Sequence, residues 1–214
     1  GPVPDYTTST LSDEDTALYW QSSYTLESGL TVTGGLRYQN SERSINRSNN
    51  SNSVNSSDDW DDVLPKLGAS YSLSEIDTLY ASVAKGSQSG GFNFYGGTPE
   101  SAQYDSAESW NYELGWSSSW NDGRVHTRVA AFYSDFENYQ VYRLNPMNPT
   151  EAYMVNAEEA TSYGVELEAE AQASETITLS AAVGLVNAEF HSYTDNVLRG
   201  VLGPMAAGYE FGGN

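Results

Sequence analysis

Residues 110–133 read WNYELGWSSSWNDGRVHTRVAAFY, and their alternation decides the fold. Trp110, Tyr112, Leu114, Trp116 and Trp120 fall on one side of an extended chain, while Asn111, Glu113, Gly115, Ser117 and Ser119 fall on the other. Ser118 alone interrupts the apolar side. Asp122-Gly123 is a favoured two-residue hairpin turn, which sets Asn121 opposite Arg124 and Trp120 opposite Val125. Beyond the turn, Val125, Thr127, Val129, Ala131 and Tyr133 continue the tryptophan side. His126, Arg128 and Ser134 take the other side, with Phe132 as its one large apolar member.

The rest of the chain repeats this pattern, with strands read at roughly 16–26, 30–40, 63–73, 78–87, 109–120, 124–142, 153–173 and 176–190. Apolar sides carry Leu18, Trp20, Tyr24 and Leu26, then Leu30, Val32, Leu36 and Tyr38, then Leu67, Ala69, Tyr71 and Leu73. Next come Leu79, Ala81 and Val83, then Tyr163, Val165, Leu167 and Ala169, and finally Ile177, Leu179, Ala181, Val183 and Leu185. None of these sides bears a charge, whereas Arg37, Lys66, Glu113, Arg128, Glu166, Glu168 and Glu170 all lie opposite. A Lys or Arg facing lipid at mid-depth costs ~2 to 4 kcal/mol, so a membrane barrel has to segregate charge in this way. Short turns fall at Glu27-Ser28-Gly29, Ser74-Glu75-Ile76-Asp77, Asn121-Asp122-Gly123 and Ser174-Glu175-Thr176, and long polar connections join the hairpins on the other side. Outer-membrane barrels share that asymmetry. A soluble sandwich also alternates, but it turns its apolar face inward and has short turns at both ends.

Composition agrees. At 38% hydrophobic residues and a mean hydropathy of -0.52, with no apolar run near eighteen residues, the chain carries no helical membrane span. Barrel strands meet lipid only at alternate residues, so their hydropathy stays low. The 16 Tyr and 5 Trp suit aromatic girdles. A net charge of -20 with 9 Lys and Arg excludes nucleic acid as a partner, because phosphate binding needs clustered cations. Most of the carboxylates read as solvating loops and a wet lumen. Without cysteine there are no disulfides or thiolate metal sites.

The fold read from these features is all-β: an antiparallel meander of about eight strands from a transmembrane β-barrel. Hydrocarbon tolerates no open sheet edge, so eight strands must close, oligomerise or pair with others. The first strand is entered through Tyr6 to Asp15 and the last left through Tyr193 to Asn214, both on the long-loop side. Gly1-Pro2 opens without a signal peptide or initiator Met. The expectation is a section of a larger barrel bounded at two extracellular loops. A free-standing eight-stranded barrel, acting as a small pore, adhesin or scaffold, is the alternative. It requires Leu18 to Leu26 to pair with Ile177 to Leu185.

Three stretches carry a family resemblance: Leu64 to Asn93 (LPKLGASYSLSEIDTLYASVAKGSQSGGFN), Ser109 to Phe136 (SWNYELGWSSSWNDGRVHTRVAAFYSDF) and Val155 to Glu170 (VNAEEATSYGVELEAE). In this order they resemble the barrel of TonB-dependent outer-membrane receptors. Gly208 to Asn214 (GYEFGGN) resembles the stretch before a family Arg-Leu-Pro segment. The resemblance implies a parent barrel of about 22 strands with a plugged lumen, importing a ferric siderophore or a cobalamin-like nutrient. It implies the bacterial outer membrane as location. Its partners are then membrane lipid, the remaining strands, the plug, and the TonB complex acting through that plug. The 214 residues read as barrel alone, residues 1–214, with no plug domain and no coupling box among them.

For ligand capture, the candidates are Phe92, Asn93, Phe94 and Tyr95 in the glycine-flanked Gly90 to Gly97 loop, with Tyr139, Tyr142 and Arg143 at another loop base. Glycines let a loop fold inward, and aromatics stack on planar ligands. The plainer reading places these residues in the outer aromatic girdle or in loop packing. Asp58-Asp59-Trp60-Asp61-Asp62 has the oxygen ligands that Ca²⁺ takes, but without ordered spacing it reads as a solvated loop base. Ser41 to Ser57, rich in Asn and Ser, reads as a mobile extracellular loop, and its Asn-x-Ser matches at Asn46, Asn49 and Asn55 carry no weight in a bacterial protein. Catalysis has little support: no nucleophile motif surrounds a serine, and the two histidines are His126 on the lumen side and His191 near a loop. No catalytic residue, metal site or cofactor is expected. Finally, Arg128 lies at a height similar to Glu168 and Glu170 above their turns, which predicts an ion pair between Arg128 and at least one of Glu166, Glu168 and Glu170.

Overall fold

The computed structural model describes residues 8–48, 53–93, 102–145, 148–156 and 159–192. Eight long strands form one antiparallel meander: β1 (Thr8–Thr25), β2 (Leu30–Ser48), β3 (Ser53–Ser72), β4 (Asp77–Gln88), β7 (Ala107–Trp120), β8 (Val125–Glu137), β11 (Glu159–Gln172) and β12 (Thr178–Ser192). Two short ribbons interrupt the sequence, β5 (Gly91–Phe92) with β6 (Gln103–Tyr104), and β9 (Gln140–Asn145) with β10 (Asn148–Asn156). Among the described residues β1 pairs only with β2 and β12 only with β11, so the sheet is open and the eight-stranded closed barrel is not formed.

The four short turns lie where the sequence places them. Trp120 stands opposite Val125, and Asn121, Asp122 and Gly123 all take positive φ, the region that Asn, Asp and Gly enter most readily. Two expectations fail at the other end of the strands. Within Ser41 to Ser57, the segments 41–48 and 53–57 are strand and not loop, because β2 and β3 stay paired from Leu30↔Tyr71 to Ser48↔Ser53, while 49–52 lie outside the described residues. Above the bilayer both faces of a hairpin are wet, so alternation vanishes from the sequence although the backbone ladder continues. Likewise, the strands read as 124–142 and 153–173 are each broken. Asn138 turns the chain at φ 53, and β9 and β10 leave the main sheet to pair with one another.

The register fixes the tilt. The row Thr31–Ser70–Tyr80–Gly115–Ala130–Glu166–Gly184 crosses the sheet through consecutive pairs. The hairpin turns step down from that row: the first starts on it at Thr31, while Ser72, Trp120 and Gln172 end their strands two, five and six residues below. A stagger of about one residue per strand, at about 3.3 Å rise and 4.8 Å strand spacing, tilts the strands by about 35°. Transmembrane barrels tilt by ~35–45°.

The faces separate as the sequence predicts. On strands paired along both sides, Leu36, Leu67, Leu114 and Leu167 are 48%, 55%, 55% and 48% exposed, although a soluble fold would bury them. Tyr38, Tyr112, Tyr133 and Tyr163 mark the upper edge of this apolar band, and Tyr24, Tyr71, Trp116 and Trp120 the lower. Lys85 and Glu108 join at 2.6 Å beside the upper tyrosines, at interface level.

Candidate functional site

The charged inner face is built from the family-like motifs. Arg128 on β8 donates from Nη2 to Glu113 Oε1 at 2.8 Å and from Nε to the Tyr80 hydroxyl at 2.6 Å. Its Nη1 lies 3.9 Å from Glu168 Oε2, and its guanidinium sits 5.4 Å from the Tyr80 ring centre. The expected pair with the Glu166–Glu170 ladder is therefore present through Glu168, although Glu113 is the closer partner. Asn111 ties the next level by accepting from Ser134 at 2.8 Å and donating to Ser109 at 2.9 Å. Two glycines make room on this wall: a Cβ on Gly115 would strike the Tyr80 ring, and one on Gly164 would strike the Leu185 carbonyl and the Phe132 ring. This explains why large aromatics face glycines in the Leu-Tyr-Ala-Ser, Tyr-Glu-Leu-Gly and Gly-Val-Glu-Leu-Glu stretches.

At the extracellular end, buried side chains replace the open wall. Ser41, Ile45, Asp62, Phe92, Asn93, Tyr153, Ala160 and Thr161 are all buried. The β5–β6 ribbon lies against the inner face of β2 and β3. Phe92 packs edge-on to Trp60 with ring centres 6.2 Å apart, Ser89 donates to Ser41 at 2.7 Å, and Gln103 donates to Asp58. Gly90 and Gly91 permit this approach, since a Cβ on either would lie 2.5 Å from the Trp60 indole or the Tyr104 hydroxyl. The run Asp58 to Asp62 is thus part of β3 and not a loop base. Asp58, Trp60 and Asp62 face inward and Asp59 and Asp61 outward, and among the described residues no three His, Asp or Glu converge as metal ligands.

Of the sequence candidates, Phe92 and Asn93 are 4% and 6% exposed, packed within the mouth. Tyr139 stacks edge-on with Phe136 and Phe190 at 5.3 and 5.8 Å. Tyr142 on β9 is 78% exposed, and Arg143 beside it is half-buried opposite Tyr153. Phe94 and Tyr95 lie outside the described residues. The structure brings the two candidate sets together, because Asn93 hydrogen-bonds the backbone of Met154, the cross-strand partner of Tyr142. Sequence reasoning missed Gln140 and Asn156. Gln140 donates to the carbonyl oxygens of Ser89 and Asp105, each at 3.0 Å, and Asn156 grips the Asp105 backbone. The one available signal was Asn156, inside the Val-Asn-Ala stretch that carries the resemblance. His126 shares a hydrogen bond with Ser119 on the inner wall, and His191 shares one with Thr161, each at 3.0 Å.

Comparison with known proteins agrees with this architecture. Residues 1–212 match the family described as TonB dependent receptor-like, beta-barrel. The chain is 31% identical over 137 residues to the metal-pseudopaline receptor CntO of Pseudomonas aeruginosa, covering 64% of this chain and 18% of the relative. Among solved structures, the ferric yersiniabactin uptake receptor FyuA from Yersinia pestis superposes with a TM-score of 0.70 at 24% identity, covering 90% of this chain and 29% of that one. The siderophore receptor PiuA from Acinetobacter baumannii gives 0.68 at 18% identity, with 87% and 27% covered. This chain spans less than a third of the length of each of these relatives. Its open meander, its outward apolar band and the family match over 1–212 make it a barrel section of the TonB-dependent receptor family, proteins of the Gram-negative outer membrane.

Proposed function

We propose that this chain supplies part of the wall and mouth of a receptor that imports a ferric siderophore or a related metal chelate. The observation that carries the reading is the β5–β6 ribbon folded against the inner face of β2 and β3 and tied to β9–β10 through Asn93, with Tyr142 exposed on β9. The relatives' descriptions as receptors for metal-pseudopaline and ferric yersiniabactin support the ligand class. Phe92, Asn93, Phe94, Tyr95, Tyr139, Tyr142 and Arg143 form the proposed ligand-facing set. Within it Phe92 and Asn93 support the mouth, while Tyr142 offers a ring for stacking. A cobalamin-like nutrient is the second ligand class for the same mouth. Transport further requires the remaining strands, a plug and energy from the TonB complex, with lipid around the apolar band.

The test is uptake. The complete receptor, placed in a strain lacking its own ferric-chelate receptors, is offered a panel of iron-55 chelates and cobalamin, with and without an energised inner membrane. Energy-dependent accumulation of at least one ferric chelate is expected. Accumulation of cobalamin alone, or of nothing on the panel, would overturn the iron reading.

A further inference from the structure

Two asparagines of the family-like stretches, Asn93 at the end of the first and Asn156 near the start of the third, each grip backbone across the gap between the ribbons: Asn93 that of Met154 on β10, Asn156 that of Asp105 just after β6. The Asn93 carboxamide donates to the Met154 carbonyl oxygen at 2.8 Å and accepts from the Met154 N–H at 2.6 Å. In the reverse direction, the Asn156 carboxamide accepts from the Asp105 N–H at 2.8 Å and donates to the Asp105 carbonyl oxygen at 2.9 Å. A side-chain amide that meets both the N–H and C=O of one residue reproduces the exchange between paired strands. Here it joins ribbons that share no ladder. Gln140 adds donors to Gln88, Ser89 and Asp105, and Asn156 also donates to Asn138. Asn93 is 6% exposed, so water does not readily replace its bonds, whereas those of Asn156 to Asp105 are exposed.

We infer that Asn93 and Asn156 form a reciprocal clasp that locks the segments around the β5–β6 and β9–β10 ribbons to one another at the mouth. Both are positioning residues: they hold Tyr142 and the Phe92 segment in fixed relation. Any ligand contact with one ribbon is then felt by the other. The inference goes beyond the import reading and does not depend on it.

Hydrogen exchange in the complete receptor, followed peptide by peptide without ligand, tests the clasp. Asn93→Ala should speed exchange across 140–156, the ribbon that it does not belong to, by about tenfold, the size expected for losing a buried hydrogen-bond pair. Asn156→Ala, whose bonds to Asp105 are exposed, should speed exchange across 91–105 by a smaller factor. Peptides within 110–133 should keep their protection. Asn93→Asp and Asn156→Asp, which keep the acceptor and lose the donor, should give intermediate changes and serve if the alanine variants misfold. Changes confined to the substituted ribbon would overturn the interlock. So would loss of protection throughout the barrel in all four variants, since the contact would then belong to barrel folding and not to a separable clasp. The readout uses no ligand, so a failure of import leaves it untouched and its own failure leaves import open.

Discussion

Arg128 and Glu113 meet at 2.8 Å across adjacent strands on the inner face, with side chains 43% and 34% exposed. At that exposure the pair contributes about 1 kcal/mol or less. Arg128→Ala should therefore shift the denaturant midpoint in detergent only slightly. Arg128→Glu should cost more, because it places a third carboxylate between Glu113 and Glu168. If alanine proves as damaging as glutamate, the guanidinium is holding Tyr80 in place, and charge balance is secondary.

The two wall glycines differ in what a methyl group would meet. At Gly115 the obstacle is the far end of the Tyr80 side chain, which can swing away; at Gly164 it is the Leu185 backbone carbonyl as well as Phe132. Overpacking of this kind costs ~1–3 kcal/mol. Gly164→Ala should lower the yield of folded, heat-modifiable protein more than Gly115→Ala, and the opposite order would contradict the register of β11 with β12.

Leu114 and Ser82 test the assignment of faces. Leu114 is outward at mid-height, so Leu114→Arg should cost ~2–4 kcal/mol in lipid vesicles. Ser82 lies across the strand pair from Glu113 on the inner face. Ser82→Arg should be nearly neutral or favourable there. Equal penalties in vesicle-folding titrations would show that the band does not face lipid.

Within the bilayer the sequence reveals strand, face and turn, because lipid imposes a two-residue period and excludes charge from one side. Tyr112, Leu114 and Glu113 are legible for that reason. Above the girdle the constraint disappears. Ser44, Asn46 and Ser56 lie in paired strands, yet nothing in their polarity separates strand from loop. The mouth is harder still. Phe92 was legible as an aromatic in a loop able to fold inward, but its burial depends on Trp60, which lies thirty-two residues away in a run that reads as a solvated loop base. The clasp partners Asn156 and Asp105 are fifty-one residues apart, and their contact is side chain to backbone, which leaves no pattern in residue types.

Asp61, on β3 above the upper girdle, is held below the usual carboxylate range first by the Tyr38 hydroxyl, 2.6 Å away, and then by the Asn40 amide. A folded-state value below the unfolded one means that this contribution is present above the unfolded pKa of about 3.9 and is lost as pH falls through the lowered value. The stability gap between the protein and Tyr38→Phe should thus be steady at neutral pH and shrink under acid. A gap that persists unchanged below that window would assign the effect to the loss of interfacial Tyr packing alone.

The edges of the sheet set the last expectation. β1 runs from Thr8 to Thr25 and β12 from Thr178 to Ser192, and each has one edge with no described partner. About half of the backbone N–H and C=O groups of an edge strand point outward along the sheet, and each one left unpaired in hydrocarbon costs several kcal/mol. Closing eight strands on themselves would remove the penalty, but it would also shrink the interior until side chains fill it and displace the two ribbons. Folded from urea into vesicles by itself, the 214-residue chain should therefore give oligomers or protease-sensitive protein. Cysteines placed within Leu18 to Leu26 and Ile177 to Leu185 should form no intramolecular disulfide. A protease-resistant monomer carrying that cross-link would establish the small closed barrel, and with it a function other than a share in a large receptor.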